Sequence, residues 1–164
     1  PRVGLLSIGE EAGKGSPFVK ECWEHLSQPE WVVRSGAEWI GNVEGRDVMT
    51  SDVDVIVTDG FTGNVVLKTL EGAMQALIGR LLVAIDSDDT TRAAGDVLAP
   101  ALDQMVSELH PDSVGGALLL GVKGVCVISH GSSSAPAMTN AIKVAAEMVQ
   151  VEMVGHLTTA VAPK

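Results

Sequence analysis

The chain has 164 residues, 46% apolar and only 3% aromatic, so one domain of ordinary size is expected, with a core of Val, Leu, Ile, Ala and Met. A net charge of −10 argues against nucleic acid as a partner, and no apolar run approaches the roughly 18 residues that cross a bilayer. Cys22 and Cys126 make neither a disulfide framework nor a zinc motif, which suits a reducing, cytoplasmic setting, and nothing in the sequence calls for a metal or another cofactor. No signal peptide precedes the first strand, and a domain seldom begins so abruptly, so the chain is expected to be a piece of a longer protein.

In chain order, Val3-Gly4-Leu5-Leu6-Ser7-Ile8 reads as a buried strand that stops at Gly9. Ser16-Pro17 supplies a cap and a first-turn proline for a helix to about Leu26. Residues 31–34 are ambiguous, and Trp39-Ile40 opens a second strand that ends at Gly41-Asn42. Residues 53–58 form the clearest strand, β-branched and closed by Asp59-Gly60. A long helix is expected from about Gly63, because Val66, Leu70, Ala73, Met74, Leu77 and Leu81 keep helical spacing. After a polar break at 86–91, a second helix runs from Thr91 to Leu109, with Pro100 a kink or a boundary. Residues 62–110 would then be a helical hairpin arm. Gly115-Gly116 restarts the chain, and residues 124–128 read as another buried strand ending at Ser129-His130-Gly131. Residues 132–134 with Pro136 open a last helix, whose stripe is Met138, Ala141, Ile142, Ala145, Met148 and Val149.

Strands too apolar to face water, alternating with helices, imply a three-layer α/β/α arrangement with a mostly parallel, Rossmann-like sheet. Ligands of such sheets sit beyond the carboxyl ends of the strands. Those ends carry Gly9-Glu10-Glu11, residues 41–46, residues 59–64 and Ser129-His130-Gly131, so four strand ends are expected to converge on one rim.

Candidate chemistry is concentrated there. The turn Asp59-Gly60-Phe61-Thr62-Gly63-Asn64 can aim backbone amides and a helix dipole at an anion, or can be a tight turn with Thr62 as cap. Asn64 and Lys68 share a helix face and could both reach an oxyanion, against the plainer reading of a solvated lysine. Arg46, after Glu44-Gly45, either grips phosphate in a fork or pairs locally with Glu44, Asp47 or Asp52. His130 is a general base, an oxyanion donor or a structural histidine. Ser129, Ser132, Ser133 and Ser134 lack a nucleophile elbow and are read as caps. Magnesium at Asp52, Asp54 and Asp59 is outweighed by ordinary sheet-end carboxylates.

Taken together, Ile8-Gly9-Glu10-Glu11, residues 40–47, residues 58–69, Gly115-Gly116-Ala117, Ser129-His130-Gly131-Ser132 and Asn140-Ala141-Ile142 stand in an order and spacing that resembles the PlsX-type phosphate acyltransferases. The resemblance covers nearly the whole chain and places it in the C-terminal half of such an enzyme. It implies a fold related to phosphotransacetylases and isopropylmalate dehydrogenases. It also implies acyl transfer from acyl-carrier protein to inorganic phosphate, feeding phospholipid synthesis. A homodimer in the cytoplasm, touching the inner membrane face peripherally, goes with it. On that reading Asn64, Lys68, His130 and Asn42 are the catalytic candidates. Glu44, Arg46, Asp59, Gly60, Thr62, Gly63, Gly131 and Ser132 would line the substrate site. The arm is often basic in the family and is acidic here between Asp86 and Asp112, which leaves carrier docking to Arg46, Lys68, Lys123 or segments outside the chain. Rival readings are a phosphate acetyl- or butyryltransferase using acyl-coenzyme A, a dehydrogenase of the related fold, and a non-catalytic dimerisation half.

Overall fold

The structure, a computed structural model, describes residues 1–109, 115–129, 131 and 133–162. Two compact units divide the chain, Pro1–Ala73 and Met74–Lys164.

The first unit is built on β1 (Arg2–Leu6), whose Val3, Gly4, Leu5 and Leu6 are all buried. Helix α1 (Pro17–Leu26) follows as the sequence predicts: Ser16 Oγ accepts the Val19 amide at 3.3 Å, and Pro17 sits in the first turn. The ambiguous stretch resolves into α2 (Pro29–Ser35), started by a second first-turn proline. Trp31 on α2 meets Trp39 edge to face, ring centres 6.1 Å apart, and this pins the helix to the strand that follows. That strand, β2 (Glu38–Val43), runs parallel to β1, and so does β3 (Val55–Val57) on the other side, giving the order β2-β1-β3. The sheet is open and parallel, and the unit is Rossmann-like α/β.

The β1–β2 ladder slips by one residue, since Val3 pairs with Trp39 while Gly4 pairs with Gly41. Ile40 is the extra residue of this bulge, and Gly41 accommodates it with a φ of +87°, a conformation that costs a side-chain-bearing residue strain. Gly4 is needed on the facing strand for another reason: a Cβ there would lie 2.5 Å from Val43 Cγ1.

Beyond β3, α3 (Gly60–Ile85) and α4 (Asp89–Leu109) are joined by a short polar turn, where Arg92 pairs with Asp86 at 2.8 Å and Asp89 at 3.0 Å. Pro100 lies inside α4 and does not end it. In the second unit, β4 (Ala117–Leu118) and β5 (Val127–Ile128) form a two-stranded antiparallel ladder. The strand expected at 124–128 is therefore shorter than its apolar run and pairs with its own neighbour, not with the parallel sheet. Helix α5 (Ala135–Gln150) is capped by Ser134, whose Oγ accepts the Ala137 amide at 3.2 Å, and its Ala137 and Ala141 are buried. It is not the last helix: the chain turns at Glu152, with a φ of +50°, into α6 (Met153–Val161).

Candidate functional site

Parallel pairing sets the carboxyl ends of β1, β2 and β3 side by side, with Leu6 opposite Val43 and Leu5 opposite Val57. Three of the four expected strand ends thus share one rim in the first unit. The fourth, past β5, belongs to the second unit. There Gly131 is exposed, while His130 and Ser132 lie outside the described residues. Ser129 donates to the Gly115 carbonyl at 3.0 Å and lies 2.6 Å from Ser133 Oγ, so with the Ser134 cap these hydroxyls hold the turn into α5.

At the end of β3, Asp59 is the cap of α3. Its Oδ1 accepts the Thr62 amide at 2.8 Å, its Oδ2 accepts the Thr62 hydroxyl at 2.6 Å, and its carbonyl accepts the Gly63 amide at 2.9 Å. The helix therefore begins at Gly60 rather than Gly63, and Asp59 rather than Thr62 caps it. Donation from the Thr62 hydroxyl, then from the Thr62 amide, holds the Asp59 carboxyl below the usual carboxylate range. An ionised carboxylate thus occupies the positive end of the helix dipole.

Along α3, Gly60, Asn64 and Lys68 recur every fourth residue, so they form one stripe leading away from the rim. Asn64 is exposed, and Lys68 Nζ lies 2.7 Å from Glu71 Oε2, a pair one turn long. At the end of β2, Arg46 gathers three carboxylates: Glu10 at 2.6 Å, Glu44 at 3.1 Å and Asp47 at 3.8 Å. Its pKa is raised, chiefly by the bond to Glu10. Of the two readings open for Arg46, the local ion pair is the one formed, with Glu10 in place of Asp52. The Arg46 side chain is 66% exposed, so water screens these pairs and leaves them exchangeable.

Asn42 is the buried polar residue of the rim, 4% exposed. Its Nδ2 donates to the Glu11 carbonyl at 2.8 Å and ties the loop after β1 down onto β2. Its Oδ1 and the nearby strand-end Ser7 Oγ are buried without hydrogen-bond partners. Asn42 is a candidate on sequence grounds, and the fold turns its amide inward, onto a loop carbonyl. Glu10 and Glu71, which are not among the candidates, hold the two cations. The signal for Glu71 is its spacing of three from Lys68, and that for Glu10 is its place at a strand end on the same rim as Arg46. Asp54 and Asp59 are committed to Arg2 and Thr62, and among the described residues no group of three or more His, Cys, Asp or Glu could hold a metal ion.

Between α1 and the start of α3 lies a recess of about 100 Å³. Leu5, Leu6, Phe18, Val19 and Cys22 make its apolar wall, and Thr58, Asp59 and Thr62 its polar edge.

A polar rim at the carboxyl ends of a parallel sheet, beside a capped helix start and an apolar recess, is the arrangement of an α/β protein that handles small molecules. The profile of the fatty acid synthesis protein family matches residues 1–155, and the chain belongs to that family. It is 44% identical over 155 residues to a protein of Halothermothrix orenii named phosphate acyltransferase, covering 94% of this chain and 45% of that protein. A phosphate acyltransferase of Elusimicrobium minutum is 43% identical over 157 residues, with 96% and 44% covered. A phosphate acyltransferase of Clostridium perfringens is 39% identical over 164 residues, with 100% and 47% covered. The chain spans less than half the length of these curated relatives, and the resemblance read from its motifs is borne out. Among the described residues, no helix is long and apolar enough to cross a membrane.

Proposed function

We propose that the protein carrying this chain transfers an acyl group from acyl-carrier protein to inorganic phosphate, releasing an acyl-phosphate for phospholipid synthesis. The observation that carries the reading is the family match over residues 1–155; a rim that brings Asn42, Glu44, Arg46 and Asp59 to neighbouring strand ends supports it, with Asn64 and Lys68 along the helix that leaves it.

Phosphate is anionic near neutral pH and needs capture and orientation more than deprotonation. Because Asp59 takes the Thr62 amide, the seat falls mainly on the Asn64 amide side chain and the Lys68 ammonium, with phosphate displacing Glu71 from Lys68. A phosphate oxygen attacks the thioester carbonyl, the carbonyl oxygen is held by an N–H donor, and the carrier thiol leaves. For that donor the family resemblance alone points to His130, with Gly131 and Ser132 beside it in sequence. Asn42 has only one N–H left after binding Glu11, and its burial assigns it to holding the loop. No acyl-enzyme is expected.

Exposed apolar residues on α3 and α4, such as Leu77, Leu82, Val83 and Val97, support a second role for the arm, contact with a second copy of the protein or with the inner membrane face. The acidic charge of α4 favours the protein contact over anionic lipid.

The test is release of free carrier thiol from palmitoyl-carrier protein, with and without phosphate, by the whole protein that carries this chain. Phosphate-dependent release is expected, with strong losses in Asn64→Ala and Lys68→Ala. Release independent of phosphate, or faster turnover of acyl-coenzyme A than of acyl-carrier protein, would overturn it.

A further inference from the structure

We infer that the recess between α1 and the start of α3 seats the first carbons of the acyl group, with the thioester carbonyl at its polar edge. The inference rests on the acyl-transfer reading above and names where the acyl group goes. Three features support it. The recess has an apolar wall and a polar edge, the division that an alkyl chain ending in a carbonyl requires. Its edge residues Thr58, Asp59 and Thr62 lie where β3 passes into α3, so an acyl carbonyl there stands at the strand-end rim, at the same end of the helix as Asn64. Its size is limited: an apolar cavity of about 150 Å³ accepts benzene, so about 100 Å³ takes roughly four carbons. A long chain therefore enters by its thioester end only, and the rest passes along exposed apolar surface such as Phe18, which is 57% accessible.

Charge at the edge adds a selection. Asp59 is ionised, so a neutral thioester is accepted there, while the carboxylate of a free fatty acid is repelled.

Cys22 in the wall gives a direct readout, and Cys126, in the other unit, gives an internal reference. The probe is S-octanoyl-N-acetylcysteamine, the competitor octanoate, and the measurement the rate of N-ethylmaleimide addition to each thiol in the whole protein, read by peptide mass. With the thioester at about ten times its half-saturating concentration, Cys22 alkylation slows about tenfold, because only the empty fraction reacts. Cys126 is unaffected, and octanoate protects little. Turnover supplies the second arm: Val19→Ala, which widens the wall, improves kcat/KM for thioesters methylated at carbons 2 to 4 relative to straight chains. Equal alkylation rates with and without thioester, equal protection of both cysteines, or an unchanged branched-to-straight ratio in an active Val19→Ala would overturn the inference. A wild type that shows no phosphate-dependent release defeats the acyl-transfer reading instead, and thiol protection still decides whether the recess binds an acyl thioester.

Discussion

Replacing Asn42 by Asp tests whether this residue is the clamp of the loop after β1. The wild-type side chain is 4% exposed, and its Nδ2 donates to the Glu11 carbonyl at 2.8 Å. An aspartate would turn a lone pair toward that carbonyl. Arg46, three residues beyond the end of β2, is already shared among Glu10, Glu44 and Asp47, so pairing with the new charge would break one of those pairs. Leaving a buried charge uncompensated costs about 3–5 kcal/mol. Protonating it at pH 7 instead, about three units above the ordinary aspartate value, costs about 4 kcal/mol at 1.36 kcal/mol per unit. Both routes give a loss of about 4 kcal/mol at pH 7. The sign with pH follows: the introduced carboxyl has a raised folded-state pKa, so its penalty is absent below the unfolded value near 4, grows above it, and levels off above the folded value. Once protonated, the carboxyl can again donate to Glu11. Asn42→Ala, which carries no charge, should lose about 1–3 kcal/mol at every pH, through one hydrogen bond and a small void. Urea unfolding at pH 7, 5 and 4 measures this. Tryptophan fluorescence suits it, because Trp23, Trp31 and Trp39 all lie in the unit that holds Asn42. An Asn42→Asp protein within about 0.5 kcal/mol of wild type at pH 7, the range of an inert surface change, would refute the clamp. So would a loss that does not shrink on acidification.

Three further outcomes are expected. Gly4→Ala should destabilise by about 1–3 kcal/mol, as overpacking does, and Val43→Ala in the same chain should recover part of the loss; simple additivity in the double mutant would contradict the close approach of the two strands. The Asp54 carboxyl, bound by the Arg2 side chain and backbone amide, is lowered from 3.8 to about 2. Its stabilisation is full above its ordinary value and lost as pH falls from there through about 2, so Asp54→Asn should flatten the acid limb of the stability profile, and an unchanged limb would refute the pairing. Asp59→Ala should speed amide hydrogen exchange at Thr62 and Gly63 while leaving the middle of α3 as protected as before; uniform protection at both places would mean that Asp59 is not the cap.

Much of this protein is readable from local chemistry. Ser16-Pro17 and Ser134 with Pro136 mark helix starts because a hydroxyl at the cap and a proline in the first turn act over three or four residues, within one stretch of chain. The apolar run at β1 and the turn at Asp59-Gly60 locate strand ends for the same reason. The set of motifs along the chain was enough to place it in its family. Pairing partners were not readable in this way. Nothing in residues 124–128 distinguishes a strand of a parallel sheet from one that folds back on Ala117-Leu118, because the choice depends on which backbone groups are near in space. Asp59 and Thr62 were both acceptable caps by sequence, and only the path of α3 decided between them. Arg46 could hold phosphate or carboxylates until the fold brought Glu10, 36 residues away, to within 2.6 Å. Asn42 is equally a donor by composition wherever it stands, and tertiary structure turned its amide onto Glu11. Sequence by itself determined which residues stand at the strand ends and to which family the chain belongs. Which charges pair, which amide is spent, and where an apolar recess opens beside them were decided by contacts between residues far apart in the chain, which no local pattern encodes.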